Sequence, residues 1–317
     1  MRNPQNDGLR SAVASLMPAA ILIAGCASPG SSSTTTDRSS TPLTRHYVEG
    51  ETIRYLMTGV NEGREYTINY MAEAEALVQR DDQGRFVEEF RWTRLVVAGQ
   101  EVPLDEASAD FRQRLSLDQN YEMVPPRPGE ISGINPMLIG PVFDLMTFYV
   151  DLHPSLHQGR LVEAGDSVYV EHGQPNSWAD GTNTLVGEDC IDFELTLEGV
   201  SERAAQLRVR HVPPQETSIK LPAAWMQERV NPKTANNWVQ VQRDVGDSGV
   251  EGYIAAAGHE VFDVVIEVER PSGRIVSATM DNPVDVVHRH CTDAALEDCG
   301  EEEKYRIRRQ IELRRVP

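Results

Sequence analysis

The sequence predicts a mainly β (α+β) protein: a large antiparallel curved sheet or half-barrel of about ten strands, with short helices in a central insertion. Three observations lead there. Apolar and polar residues alternate with a period of two in successive runs from Ile53 to Val316. Turn residues rich in Gly, Asp and Asn punctuate those runs at hairpin spacing. Helical spacing is confined to the stretch between Val102 and Leu156, so strands and helices do not alternate as in an α/β chain.

The first strand carries Ile53, Tyr55 and Met57 on one face against Arg54 and Thr58. After Asn61-Glu62-Gly63, a second strand alternates through Tyr66, Ile68, Tyr70, Ala72, Ala74, Ala76 and Val78. Asp82-Gln83-Gly84 turns the chain into a third, Phe86 to Val97, with Phe90 and Trp92 as its large apolar members.

The insertion follows. Leu104, Ala107, Phe111 and Leu115 recur at helical spacing after Pro103, with Asp105 and Glu106 in the first turn, which predicts a short helix over 103–115. Val124 to Gly129 is Pro-rich and reads as a linker or rim loop. Asn135-Pro136 then has the chemistry to cap and start a helix through Met137, Leu138, Val142, Phe143, Leu145, Met146, Phe148 and Tyr149. Pro141 inside that run is expected to break it, leaving one or two short helices over a sheet face. Such an apolar stripe is core, or it lines a ligand cavity.

Alternation resumes at Ser167 to Glu171, and continues through Ile191, Phe193, Leu195 and Leu197, facing away from Asp192, Glu194, Thr196 and Glu198. A hairpin at Gly199 leads to Ala205, Leu207 and Val209, whose neighbours Arg208 and Arg210 can pair with those acids across strands. Trp238 to Arg243 and Val250 to Ala257 form another hairpin. Phe262 to Val268 meets Ile275 to Met280 through Arg270-Pro271-Ser272-Gly273, and the last strand is Tyr305 to Val316. Gly50 to Tyr55 echoes Gly165 to Val170, each opening a strand after a glycine turn, so 46–317 reads as one globular domain with two possible halves, about 46–125 and 160–317.

The formal charge is −19, and removing residues 1–25 with Arg2, Arg10 and Asp7 takes it to −20. Phosphate backbones repel such a body, so nucleic acid is not expected as a partner. Of the basic residues only Lys220, Lys233 and Lys304 are lysines.

An apolar run from Ala12 to Ala24 follows Arg2 and Arg10 and ends in Ile23-Ala24-Gly25-Cys26. It is too short to span a bilayer and contains Pro18. This pattern resembles a bacterial lipoprotein signal peptide. The resemblance implies removal of 1–25, lipidation of Cys26, and membrane attachment through that anchor. With Ala27 following, it implies an outer-membrane position facing the periplasm. Residues 26–45, rich in Ser, Thr and Pro, have almost nothing to bury and read as a disordered tether with an r.m.s. reach of about 25 Å.

Three cysteines remain after Cys26. Cys291 and Cys299 flank a short polar segment and are the expected disulfide of an exported chain, although spacing leaves either one free to pair with Cys190.

The layout of hairpins, then a short helix near Leu104 to Leu115, then Ala164-Gly165-Asp166-Ser167 opening a second sheet half resembles β-rich bacterial lipoproteins shaped like the lipoprotein-carrier (LolA-like) half-barrel, over most of 46–283. That likeness implies a concave face closed by helices that holds an acyl chain or another apolar ligand, and it transfers no site residues.

Gly165-Asp166-Ser167 with Asp285-Val286-Val287-His288 resembles the nucleophile and Asp-x-x-His blocks of GDSL hydrolases. Here the serine stands mid-chain among hairpins with no Gly-Asn oxyanion block following, and Gly-Asp-Ser is ordinary turn chemistry, so no catalytic residue is assigned. His288 and His290 share a strand face with Cys291 pointing away. Two imidazoles are too few for zinc, and Asp281, Asp285 or Asp293 lie at no specific spacing, so neither a metal nor a cofactor is expected. His153 and His157 are separated by Pro154, which argues against their pairing on a helix. The expectation is a non-catalytic envelope lipoprotein that binds an apolar ligand, a lipid or a protein partner. The alternatives are a structural or assembly accessory and, behind it, an esterase.

Overall fold

The computed structural model describes residues 41–317 except 122, 124–130, 132, 172–175, 180–183, 189–191, 213–222, 228–235 and 246–250. Fifteen strands among the described residues join in one open, antiparallel sheet. Strands β1 (Thr52–Glu62), β2 (Thr67–Arg80) and β3 (Phe86–Val97) form the expected meander, with the predicted apolar faces buried. The two-residue β4 (Gln100–Glu101) extends β3 at the edge.

The expected helix over 103–115 shrinks to α1 (Glu106–Asp110), where Asp105 accepts a hydrogen bond from the Ser108 N–H at 2.8 Å. Phe111 turns to extended backbone, and Gln113–Leu115 becomes β5, paired to β3. An unused edge of β3 outweighs helical spacing there. The second helix, α2 (Pro136–Leu152), starts where the sequence placed it, with Asn135 Oδ1 accepting from Met137 N–H at 3.0 Å. Pro141 does not break it. An interior proline costs about 3 kcal/mol or more. Val142, Phe143, Leu145, Met146 and Phe148 are all buried around it, each contributing up to about 1.5–3 kcal/mol. A 3-10 turn over His153–His157 ends the helix.

The second half begins with β6 (Ser167–Val170), then β7 (Asn176–Ala179) and β8 (Thr184–Glu188), two strands that the sequence pattern did not reveal. The strands β9 (Asp192–Val200) and β10 (Ala204–Val212), then β11 (Asn236–Val245) and β12 (Glu251–Glu260), are the expected hairpins. Between them lies the single-turn α3 (Ala224–Gln227). β13 (Asp263–Glu269), β14 (Arg274–Cys291) and β15 (Glu303–Val316) complete the sheet. The excess over ten strands comes from short elements at edges and in polar loops.

The sheet forks along β14. β12 and β13 are nearly one strand, holding a constant offset against β14 with Glu260 opposite Val284 and Asp263 opposite Asp281. The break at Val261–Phe262 faces Asn282 and Pro283, and Pro283 has no N–H to give a ladder there. Beyond the break one arm continues β13–β10–β9–β6 and the other β12–β11–β8–β7. The arms feed different clusters, and Val284 and Val286 form a third with Ala256, Tyr305 and Ile307. Ala278 and Met280 join the main core with Val264 and Ile266, whereas Cys291 joins Ala255, Ala257, Met226 and Leu296 in a second cluster. β14 keeps its even-numbered face buried from Ala278 through Val286, and then buries the opposite face at Val287 and Cys291.

The main core is continuous, drawing on β1–β3, α2, β9, β10 and β13–β15 alike. Helix α2 touches β1, β5, β10 and β13 and bonds to β2, β3 and β15, so the sheet curves around it. Leu43 and Arg45, at the end of the expected tether, are buried in the body. The echoed turns are alike in detail. Gly50 N–H donates to Val78 O and Val78 N–H to Glu51 O, just as Gly165 N–H donates to Leu197 O and Leu197 N–H to Asp166 O. Both glycines have positive φ, 82° and 98°.

Candidate functional site

Two regions gather the residues with functional promise: the concave face around α2, and the tip of the β14–β15 hairpin.

On the concave face the stripe from Met137 to Tyr149 packs as core. Thirteen of the seventeen residues of α2 are buried. Thr147 Oγ1 donates back to Phe143 O within the helix at 3.1 Å, and the other buried polar members are met by the sheet. Asp144 accepts from Tyr70 Oη at 2.6 Å and from the buried Arg309 guanidinium. Tyr149 donates to Glu88 at 2.5 Å, and Glu88 accepts from Arg45 Nε at 2.9 Å. Asp151 lies 2.8 Å from His211 Nε2, both sealed from solvent, with His211 stacked on Phe262 and edge-on to Phe193. Burial, reinforced by Asp144, pushes the Tyr70 hydroxyl well above its ordinary value, and burial with Glu88 does the same to Tyr149. These hydroxyls are therefore fixed donors, and the clamps tie α2 to β2, β3, β10 and β15. Alternation gave no sign of them, because a lone Asp or Tyr in an apolar helix does not name its partner.

The serine and histidine of the hydrolase-like blocks are not brought together. Ser167 on β6 shares a 3.2 Å contact with Thr196 Oγ1, and β9, β10 and β13 intervene between β6 and β14. Asp285 is exposed and pairs with Arg306.

At the hairpin tip, β14 presents His288 and His290 on one face, and the register sets Glu303 of β15 directly opposite His288. His288 Nε2 lies 3.4 Å from a Glu303 carboxylate oxygen, and the two imidazole centroids are 5.5 Å apart, edge to face. One donor atom from each of the three side chains falls within 4.8 Å of the others. Tyr305 packs edge-on against His288, and Arg64 pairs with Glu303. Burial holds His288 below its ordinary imidazole value, and the hydrogen bond from Arg64 lowers the Glu303 carboxyl. At pH 7 the pair is a neutral imidazole beside a carboxylate.

The acids weighed as oxygen donors lie elsewhere. Asp281 is bound by Arg308, Asp285 by Arg306, and Asp293 accepts N–H groups of its own loop. Glu303 was missed because the turn after Cys291 offsets the strands. Cys291 faces Cys299, yet His288 faces Glu303. His153 and His157 do meet, with ring centroids 5.3 Å apart, since Pro154 sits at the start of a 3-10 turn where its missing N–H costs nothing.

Cys291 and Cys299 are bridged as expected. The loop they close is packed by Trp225, whose Nε1 donates to Leu296 O at 3.2 Å, with the Arg289 guanidinium over its ring. Cys26 and Cys190 lie outside the described residues, as does the Pro-rich 124–129 stretch. No helix among the described residues is long and apolar enough to cross a membrane. No protein-family model, curated protein or solved structure matches this chain.

Proposed function

We propose that this chain is an envelope lipoprotein, tethered through lipidated Cys26, whose β body acts by binding a protein partner and not by catalysis. The observation that carries the reading is the order Ile23-Ala24-Gly25-Cys26 after a short apolar run and two arginines. The Cys291–Cys299 bridge supports it, because disulfides persist in oxidising compartments and not in a reducing cytosol. The LolA-like likeness belongs to the same proposal, supported by an open curved sheet with a helix on its concave face.

Packing favours a protein partner over an apolar ligand. The residues that would floor a carrier's cavity, Leu138, Leu145, Phe148 and Tyr149, are buried in the main core. Among the described residues the large exposed apolar side chains, Val48, Leu77, Val162, Tyr169 and Val261, stand on five separate segments of the chain.

Fractionation of cells expressing Cys26→Ser tests the anchor. The variant should move to the soluble envelope fraction, and full membrane retention would overturn the reading. Native mass spectrometry of the detergent-extracted protein separates the occupants. A stoichiometric non-covalent lipid would restore the carrier reading, and its absence together with a specific cross-linked protein in intact cells would support a partner.

A further inference from the structure

We propose that His288, His290 and Glu303 form a binding site for a divalent transition-metal ion of the zinc type, with a fourth position left for water or a partner's donor. Nothing in the anchor or the core requires these residues, and the argument stands independently of where the chain resides.

Two imidazoles and one carboxylate are the donor set that such ions take when three protein ligands leave one position open. Calcium and magnesium prefer all-oxygen shells, which this cluster cannot supply. The backbone presents all three from rigid elements. His288 and His290 are two apart on one strand and so project from the same face, and Glu303 stands across the ladder from His288. Tetrahedral coordination with bonds of about 2.0–2.1 Å sets neighbouring donors about 3.3 Å apart. His288 Nε2 and the Glu303 oxygen are already at 3.4 Å, and the whole set lies within 4.8 Å. Only the His290 ring, which is exposed at the end of β14, needs to draw inward.

The surroundings fix the ligands. Tyr305 packs against the His288 ring and limits its rotation. The Cys291–Cys299 bridge closes the chain right after His290, and Gly300 N–H donates to His290 O at 2.8 Å, so the two ligand-bearing strand ends cannot separate. Arg64 Nη1 pairs with Glu303 Oε2, the same oxygen that lies 3.4 Å from His288 Nε2. The ion therefore takes Oε2 in place of the guanidinium, which can move to Oε1 and orient the ligand from outside. Glu303 is partly open to solvent, which provides the entry path.

The experiment uses the full chain in detergent, stripped with a chelator and titrated with Zn2+ by calorimetry and with Co2+ by visible absorption. We expect one ion per chain and cobalt bands of tetrahedral intensity. His290→Ala and Glu303→Gln should each weaken binding by at least about tenfold, since even outer-shell changes cost that much. His290 is exposed and its replacement leaves the fold intact, which circular dichroism checks. His157→Ala, altering the other histidine pair, should bind as the parent does. Absence of stoichiometric binding in the parent, unchanged affinity in His290→Ala, or loss of binding in His157→Ala would each overturn the site.

Discussion

Arg45 Nε lies 2.9 Å from Glu88 Oε1, and neither side chain reaches solvent. Glu88 also receives the Tyr149 hydroxyl, so a single carboxylate joins the N-terminal segment, β3 and the buried helix. Burial works against the Arg45 charge, but Glu88 outweighs it and keeps the guanidinium protonated. Removing one member of a buried pair strands the other. Arg45→Met should therefore cost about 3–5 kcal/mol in urea unfolding. The double variant Arg45→Met/Glu88→Gln, which keeps a partner for Tyr149, should recover part of that loss. Additive losses in the cycle would show that the two groups are not coupled.

Gly273 is the second point that holds the N-terminal segment. Its φ is +66°, and a Cβ there would meet Thr44 O at 2.1 Å and Arg45 Cα at 2.5 Å, both backbone atoms. Gly84, at φ +77°, has open space around the same position. Gly84→Ala should cost only the left-handed strain, about 1–2 kcal/mol. Gly273→Ala should cost clearly more and open the chain to trypsin at Arg45. Equal melting temperatures for the two variants would count against the close approach.

Acid should weaken the fold in two windows. Hydrogen bonds from Ser272, Arg315 and Arg274 hold the Glu269 carboxyl at about 2, below its ordinary 4.5. The folded value is depressed, so this contribution is whole above pH 4.5 and is lost as pH falls toward 2. Burial lowers His153 below 6.5, so protonation in the unfolded chain draws stability down as pH drops beneath that value. Urea midpoints should fall below pH 6.5 and again between 4.5 and 2. Glu269→Gln should flatten the lower window, and a lower limb identical to the parent's would remove Glu269 as its source.

The Cys291–Cys299 bridge closes a short loop at the end of β14. By loop entropy, Cys291→Ser/Cys299→Ser should lose about 2.5 kcal/mol. The loss should appear first as hydrogen exchange at Gly300 and Thr292, whose N–H groups hold the loop to itself. A non-reducing peptide map with both thiols free would contradict the pairing.

Much of this architecture is legible in the residues themselves. The faces of β1, β2, β9, β10 and β13 follow from alternation, because side-chain direction in a strand depends only on parity, whereas β3 changes parity at a bulge between Trp92 and Arg94. The start of α2 is equally local, since Asn135 caps the first turn with its own side chain. The Cys291–Cys299 bridge joins residues only eight apart, so short-range geometry suffices.

The rest depends on partners far along the chain. Pro141 stays within a helix because five apolar neighbours bury against strands from both halves, a gain invisible to a local propensity. Gln113–Leu115 becomes a strand because β3 offers an edge. β14 adds its second buried face at Val287, opposite Ala257 of β12, and a one-residue offset after Cys291 puts Glu303, not Glu302, beside His288. Sequence alone therefore determined which residues face inward and where turns fall, since those follow from backbone periods of two and 3.6. Tertiary structure decided which charges meet, because register and contacts across many residues are set by the packing of the whole sheet around α2.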